Sequence, residues 1–304
     1  MQAEDVRRVL VIGSGTMGLQ VGLQAATHGY DVVLYDTSAD ALAAAPQRLR
    51  RYGAAHIAAG LIDDGELERS LARIALSSDA AAAAADVDIV SENLPEDPGI
   101  KGTVLGKFNR LCPQRTIFAT NTSVLLPSWY AHASGRADRL AALHFHNNVW
   151  LANVVDVMPH AKTSPETMAV LVGFARRIGQ IPIELRKESS GFVFNAMYTV
   201  INHTAITLVA NGVASFQDVE RSWIGNFKMP VGPFGLLDLV GLDTAWHITE
   251  YGAKRTGDAQ VKKNAAFLKG FVDRGCLGEK AGEGFYRYPN PEYEHPGFVA
   301  GTEG

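Results

Sequence analysis

Two residues whose types suit acid–base chemistry lie near the middle of the chain, His144 and Asp156. His144 ends one strand-like run, residues 139–144, and Asp156 lies within the next, residues 154–158. A carboxylate on a nearby strand can hold an imidazole in one tautomer and stabilise its protonated form. The pair therefore predicts a general base for a hydroxyl proton. His146, on the same strand face as His144, is expected to line the pocket or to satisfy a backbone group.

A glycine pattern typical of dinucleotide-binding loops precedes this pair. Gly-x-Gly-x-x-Gly occupies residues 13–18, after an apolar run at residues 6–12 and before a helix-like stretch at residues 19–28. Asp36 ends the next predicted strand, residues 31–35, at the separation expected for such a loop. The glycines permit close backbone approach, and the N–H groups of the helix start favour a pyrophosphate. The predicted cofactor contacts of this βαβ unit are Gly13, Gly15, Thr16, Met17, Gly18 and Asp36.

The charge of Asp36 indicates which dinucleotide is bound. Its carboxylate would accept hydrogen bonds from the adenosine ribose hydroxyls, whereas a 2′-phosphate would meet a negative charge with only Thr37 and Ser38 beside it. We therefore predict NAD rather than NADP. With a hydride leaving to NAD while His144 takes the hydroxyl proton, the sequence predicts oxidation of an alcohol in the broad sense.

The order of elements predicts an α/β, Rossmann-type domain. Residues 37–80 are predicted as helical, and further strands are expected at residues 87–91, 116–119 and 181–185, with helical stretches between them. Such alternation predicts a doubly wound, mainly parallel sheet with ligands at the carboxyl ends of its strands. We assign residues 1–187 to this NAD-binding domain.

An all-α C-terminal domain is predicted for residues 188–304. Long helical stretches follow residue 189 without a clear strand, and one of them is expected to run through residues 234–252. The tail, residues 283–304, is rich in glycine, proline and aromatic residues and is expected to wrap the surface. The apolar surplus of this domain predicts that part of its surface meets another subunit.

Composition excludes several classes of protein. The 304 residues, 47% of them hydrophobic, are enough for two packed domains, and a net charge of -4 with scattered Lys and Arg does not favour a nucleic-acid binder. The N-terminal segment lacks the features of a signal peptide, and no apolar run approaches a membrane span. Cys112 and Cys276 lie far apart, and two histidines without a third ligand at metal spacing predict no metal site. We expect a cytoplasmic protein that binds a small-molecule substrate.

Further segments follow the glycine loop in a recognisable order. They are Ser91–Leu94, Thr120–Ser123, His144–Asp156, Ser190–Asn195, Met229–Asp238 and Gly282–Tyr286. In this order they resemble the L-3-hydroxyacyl-CoA dehydrogenase family, whose short members include 3-hydroxybutyryl-CoA dehydrogenase. The likeness covers nearly the whole chain, and it implies a homodimer paired through the C-terminal domain, residues 188–304, which also binds substrate. It implies NAD-dependent interconversion of an L-3-hydroxyacyl-CoA and its 3-ketoacyl form, a reaction of fatty acid metabolism.

The resemblance also implies roles for the matching residues. His144 would remove the 3-hydroxyl proton, and Asp156, in place of the family's glutamate, would hold the imidazole. Ser123 would hydrogen-bond the reacting oxygen, and Asn195 would hold the substrate carbonyl or the histidine. The remaining cofactor contacts that the resemblance implies are Glu92, Asn93, Lys101 and Asn121.

This chain departs from the family pattern at several places. Residues 144–148 read His-Phe-His-Asn-Asn instead of His-Phe-Phe-Asn-Pro, and residues 95–99 lengthen a loop expected beside the nicotinamide. Residues 58–64 are apolar and then acidic where the family uses basic residues for the CoA phosphates. The candidate replacements nearby are Arg48, Arg50 and Arg51.

Three hypotheses therefore stay open. The first is an NAD-dependent 3-hydroxyacyl-CoA dehydrogenase. The second keeps the hydride chemistry but applies it to a free or carrier-bound hydroxy acid, or to another alcohol; the missing CoA lysines and the polar residues 146–148 favour it. The third is a dinucleotide-binding protein without turnover, which the intact residues His144, Asp156, Ser123 and Asn195 argue against.

Overall fold

A computed structural model describes residues 1–301. Its contacts divide the chain into two compact units, Met1–Phe194 and a second that begins at Asn195. Among the described residues, no helix combines the length and the apolar character needed to cross a membrane.

The described part of the first unit contains one eight-stranded sheet. Its strands are β1 (Arg8–Ile12), β2 (Asp31–Tyr35), β3 (Ile74–Ser77), β4 (Ile89–Glu92), β5 (Ile117–Thr120), β6 (Leu140–Phe145), β7 (Val154–Pro159) and β8 (Ile181–Glu184). The spatial order is β3-β2-β1-β4-β5-β6-β7-β8, and every neighbouring pair is parallel except β6 and β7. The strand order reverses between β1 and β4, which is where doubly wound sheets bind ligands. The predicted Rossmann-type sheet is confirmed.

Helices cover this sheet on both faces. They are α1 (Thr16–Thr27), α2 (Ala39–Ala58), α3 (Asp64–Leu71), α4 (Ala80–Ala84), α5 (Pro98–Asn109), α6 (Ala131–Ser134) and α7 (Pro165–Arg177). Successive residues of β1 enter two different cores, Val9 and Val11 with α1 and α7, Leu10 and Ile12 with α4 and α5. Burial on both faces explains why β1 is apolar at four successive positions rather than at alternate ones.

The prediction of helix throughout residues 37–80 is wrong at its end. Ile74–Ser77 forms β3, a four-residue edge strand that pairs with β2 in parallel. None of its residues is fully buried and the middle two are exposed, and the sequence Ile-Ala-Leu-Ser suits a helix as well as a strand. Hydrogen bonding to β2, a contact between residues distant in sequence, determines this strand.

The second unit is helical, as predicted. Its described helices are α8 (Phe194–Ala210), α9 (Phe216–Phe227), α10 (Pro233–Val240), α11 (Leu242–Thr256) and α12 (Ala259–Val272). The prediction of one helix through residues 234–252 is wrong, because Gly241 separates α10 from α11 with a φ of 97°. Side chains other than glycine rarely adopt that conformation.

The tail does not simply wrap the surface as expected. Phe285, Tyr286 and Phe298 are buried in the core of the second unit. The carboxylate of Asp238 explains part of this, since it accepts hydrogen bonds from the backbone N–H groups of Phe285 and Tyr286, both at 2.9 Å. Buried backbone donors need such partners, and here one aspartate on α10 fixes the tail.

Candidate active site

The predicted site residues of the first unit gather at one edge of the sheet. Strands β1, β2, β4, β5 and β6 are mutually parallel, so their carboxyl ends lie together. The glycine loop follows β1, and the other members at the ends of these strands are Asp36, Glu92, Asn93, Asn121 and His144. Ser123 lies three residues beyond β5. This edge is where a doubly wound sheet binds its ligand.

The three glycines of the loop serve two different purposes. A Cβ at Gly18 would lie 1.9 Å from the Gly13 oxygen, and one at Gly13 would lie 2.7 Å from the Asn93 oxygen. These two glycines therefore allow the loop, α1 and β4 to pack. A Cβ at Gly15 would meet no atom within 4 Å, which leaves its backbone open to a ligand.

The start of α1 is suited to an anion. The helix begins at Thr16, and Gly15 at its N-cap supplies no side-chain hydrogen bond. The N–H groups of the first turn lack partners within the helix, and the helix dipole adds positive potential there. The loop and this helix start fit the pyrophosphate of a dinucleotide.

Asp36 is fixed at the end of β2 by the loop itself. Its Oδ2 accepts from the Ser14 N–H at 2.7 Å and from the Ser14 hydroxyl at 2.8 Å, and its Oδ1 accepts from the Ser38 N–H at 2.9 Å. Partial burial alone would raise the pKa of Asp36, but the hydrogen bonds from Ser38 and Ser14 outweigh it and lower the pKa. A carboxylate in this position suits ribose hydroxyls and repels a 2′-phosphate.

Arg48 reaches the loop from α2, which sequence reasoning missed. Its guanidinium donates to the Ser14 carbonyl at 3.4 Å and to the Thr16 hydroxyl at 3.2 Å. The sequence had offered Arg48 as a group for an acyl carrier. Only the packing of α2 beside the loop shows that its charge lies next to the expected pyrophosphate site.

His144 and Asp156 form a buried pair across β6 and β7. The two residues lie directly opposite each other in the antiparallel register, and His144 Nδ1 is 3.2 Å from Asp156 Oδ2. Their side chains are only 4% and 2% exposed. Phe192 stacks on the imidazole, with ring centroids 4.6 Å apart. Since Nδ1 faces the carboxylate, Nε2 is the nitrogen left for a substrate proton.

His146 contacts the same carboxylate. Its Nε2 lies 3.8 Å from Asp156 Oδ2, and its ring centroid is 4.7 Å from that of His144. Phe194 packs edge-on against it at 5.4 Å. Burial lowers the pKa of His146 below its ordinary value, the proximity of the His144 imidazole lowers it further, and Asp156 opposes both.

The unusual segment after His146 is held by α1 and α2. Gln20 donates to Asn147 Oδ1 at 2.8 Å and accepts from the Asn148 N–H at 2.8 Å. Asn148 has a φ of 60°, which proline cannot adopt, and proline has no N–H to donate. Trp150 packs on His56, with centroids 4.5 Å apart. The backbone at residue 148 therefore excludes the proline of the family pattern.

Glu92 and Lys101 form a buried ion pair beside the loop. Lys101 Nζ is 2.8 Å from Glu92 Oε1, and the two side chains are 1% and 0% exposed. Glu92 also accepts from the Leu94 N–H and the Thr120 hydroxyl, both at 2.6 Å. The pair thus joins the ends of β4 and β5 to α5. Contact of either residue with a cofactor stays a prediction.

Glu96, in the longer loop, connects this pair to Ser123. Its carboxylate lies 3.5 Å from Lys101 Nζ and accepts from the Ser123 N–H at 2.6 Å and the Thr122 hydroxyl at 2.8 Å. The loop therefore fixes the backbone of Ser123 rather than only lengthening the connection. No sequence signal indicates this role of Glu96, because a lone glutamate in a loop is common.

Two asparagines link the neighbouring strand ends. Asn121 donates to Asn93 Oδ1 at 2.8 Å and accepts from the Phe145 N–H at 2.8 Å. Asn93 in turn donates to the Ser91 carbonyl at 3.0 Å. Their amides hold β4, β5 and β6 in place at the edge, and their contacts with a cofactor remain predictions. Asn195 lies in the second unit, and its role also remains a prediction.

A dinucleotide loop and a buried imidazole–carboxylate pair at one edge of a doubly wound sheet place the protein among the NAD-dependent oxidoreductases. Comparison of the sequence with protein-family models identifies the family within this class. Residues 8–189 match the NAD binding domain of 3-hydroxyacyl-CoA dehydrogenase, and residues 191–288 match its C-terminal domain. The chain therefore belongs to the 3-hydroxyacyl-CoA dehydrogenase family, and its cofactor is NAD.

Individual relatives agree with this assignment. The human mitochondrial hydroxyacyl-coenzyme A dehydrogenase is 34% identical, over 93% of this chain and 91% of the relative. A probable 3-hydroxybutyryl-CoA dehydrogenase of Bacillus subtilis is 31% identical, over 93% and 98% of the two chains. Among solved structures, a diketoreductase described as acting on dicarbonyl compounds has a TM-score of 0.88 and 40% identity, over 93% of this chain and 99% of its own.

Proposed function

We propose that this protein catalyses the reversible oxidation of an L-3-hydroxyacyl-CoA to the 3-ketoacyl-CoA with NAD. The observation that carries the proposal is the buried His144–Asp156 pair on the sheet edge that also bears the dinucleotide loop. Bound NAD supplies the hydride acceptor. His144 takes the 3-hydroxyl proton at Nε2 while C3 loses its hydride and becomes a carbonyl; in reduction the imidazole returns that proton.

The neighbouring residues act on the base and on the reacting oxygen. Asp156 holds the imidazole with Nδ1 protonated and stabilises its cationic form. Ser123 hydrogen-bonds the reacting oxygen, on a backbone that Glu96 fixes at 2.6 Å. Asn195 holds the substrate carbonyl or the histidine. The residues proposed to surround NAD are Gly13, Gly15, Thr16, Met17, Gly18, Asp36, Glu92, Asn93, Lys101 and Asn121.

A second candidate substrate is a β-dicarbonyl or hydroxy acid without CoA. Two of the three arginines considered for the CoA phosphates have other partners: Arg48 bonds the glycine loop, and Arg50 pairs with Glu68. Arg51 lies over the Tyr52 ring, 5.4 Å from its centroid. The 40% identity to a diketoreductase points in the same direction.

Oxidation of NADH with matched substrates tests both candidates. We expect acetoacetyl-CoA to be reduced with a kcat/KM at least about 10²-fold above that of free acetoacetate, since a bound carrier contributes several kcal/mol to the transition state. Equal rates with the two substrates would favour the second candidate. If neither substrate reacts with a protein that still binds NADH, the 3-hydroxyacyl-CoA proposal is overturned in favour of a different hydroxy substrate.

We also propose a homodimer formed through the helical unit. Exposed apolar side chains lie on α8 and α11, namely Met197 at 57%, Val200 at 64% and Ile248 at 61% exposure. Such surface is typical of protein interfaces. We expect light scattering to give twice the mass of one chain and Val200→Glu to give the monomer, while Thr199→Glu, on the adjacent exposed position, leaves the dimer intact. A monomeric wild type would contradict the proposal.

The proposed location is the cytoplasm. Cys112 and Cys276 are both free thiols among the described residues, which supports a reducing compartment.

A further inference from the structure

Strand pairing brings a third potential metal ligand to His144, on β6, and His146, the first residue after that strand. The rings of His144 and His146 have centroids 4.7 Å apart, and Asp156 lies opposite His144 on β7. One ligand atom from each of these residues lies within 4.8 Å of the other two. From the sequence we predict no metal site, because the two histidines lack a third ligand at metal spacing. Asp156 is twelve residues away from His144 and becomes its neighbour only through the pairing of β6 with β7.

The spacing of these atoms is close to that of a metal's donors. Donors about 2.0–2.2 Å from a tetrahedral zinc ion are separated by roughly 3.3–3.6 Å. His144 Nδ1 and Asp156 Oδ2 are 3.2 Å apart, and His146 Nε2 and Asp156 Oδ2 are 3.8 Å apart. Metal binding would bring His146 Nε2 slightly closer to Asp156 Oδ2, and would bring the two imidazole nitrogens, which lie within 4.8 Å of each other, to the same spacing. Two imidazoles and a carboxylate are a common donor set for zinc, iron and cobalt.

The surroundings hold the donors in place and leave an entry. Phe192 stacks on His144, and Phe194 packs edge-on against His146. Among the described residues, Asp156 has no ion-pair partner except these two histidines, so no lysine or arginine competes for its charge. The His146 side chain is 19% exposed, whereas those of the other two are nearly closed off. An ion can therefore reach the cluster from the His146 side.

We propose that His144, His146 and Asp156 bind a divalent transition-metal ion, with Zn²⁺ as the representative probe, and that the bound ion inhibits the enzyme. A metal on Nδ1 of His144 displaces the carboxylate from the imidazole and withdraws lone-pair density from the base. The inhibition rests on the proposed role of His144 in catalysis, whereas the metal binding does not. His146 is what distinguishes this site from the pattern His-Phe-Phe-Asn-Pro, in which the third position has no donor atom.

Binding is measured without turnover, with Co²⁺ as a spectroscopic probe and Zn²⁺ as its competitor. We expect one Co²⁺ per chain, a visible ligand-field absorption, and its loss when Zn²⁺ is added. His146→Phe keeps an aromatic ring against Phe194 and removes one metal ligand. The affinity for Co²⁺ should fall by at least about 10–100-fold, because even the loss of a residue that only hydrogen-bonds a metal ligand has an effect of that size. His132→Gln, which removes an exposed histidine on α6, is the matched control and should bind as the wild type does.

Each result decides the proposal. Co²⁺ binding that His146→Phe leaves unchanged, or no binding to the wild type, overturns it. His146→Gln provides a second variant if the phenylalanine protein does not fold, as judged by circular dichroism. In active enzyme, Zn²⁺ should inhibit reversibly, a chelator should restore the rate, and the inhibition constant should rise in His146→Phe. Metal binding without inhibition would retain the site and reject His144 as the base, so the two ideas fail separately.

Discussion

Replacing His144 by glutamine is expected to lower kcat by about 10²–10⁴-fold, the usual contribution of a general base. Glutamine keeps a polar side chain opposite Asp156 but cannot take a proton at neutral pH. The dissociation constant of NADH should change little, because the glycine loop and Asp36 follow β1 and β2, which are separated from β6 in the sheet by β4 and β5. The measurement is kcat in the reductive direction together with NADH binding by fluorescence.

His132→Gln is the matched control for this prediction, because His132 is exposed and lies on α6. A second variant, Asp156→Asn, tests how the base is oriented. Asparagine can present its N–H₂ group to Nδ1 and favour the wrong tautomer, so kcat should again fall by orders of magnitude. Residues that act as one unit give non-additive losses, and the double variant should be little worse than either single one. Turnover retained by His144→Gln would remove His144 from its proposed role.

Replacing Lys101 by methionine is expected to destabilise the protein by about 3–5 kcal/mol. The substitution leaves Glu92, with 0% of its side chain exposed, without a countercharge, and an uncompensated buried charge has that cost. The free energy of unfolding, obtained from urea titrations of the wild type and the variant, measures the effect. Lys107→Met, on the exposed face of the same helix, should change it by less than about 1 kcal/mol.

The double variant Glu92→Gln, Lys101→Met distinguishes a structural role of this ion pair from direct contact with the cofactor. If the pair is mainly structural, removing both charges should recover part of the lost stability. If instead the residues contact the nicotinamide ribose directly, NADH affinity should fall in both single variants out of proportion to their stability. A Lys101→Met protein as stable as the wild type would contradict the structural reading.

Local sequence was sufficient for much of the fold because its signals were local. The glycine spacing at residues 13–18 requires a tight turn between strand and helix, and Gly13 and Gly18 do occupy positions where a Cβ would clash. The buried strands of the parallel sheet are apolar at successive positions, as in β1, so they can be predicted from the sequence. β3 was missed because it is short, at the edge and half-exposed, and Gly241 was missed as a break because glycine also occurs inside helices.

The candidate site shows the same division between local and non-local information. The residue types, the glycine loop and the alternation of strands and helices that brings them to one sheet edge all follow from local sequence. Tertiary structure alone decided the distances: Arg48 beside the loop, Glu96 on the Ser123 backbone, and Asp156 between His144 and His146. These contacts join residues from different elements, and their geometry depends on strand register and helix packing. No spacing along the chain specifies that geometry, because it results from the burial of many side chains at once.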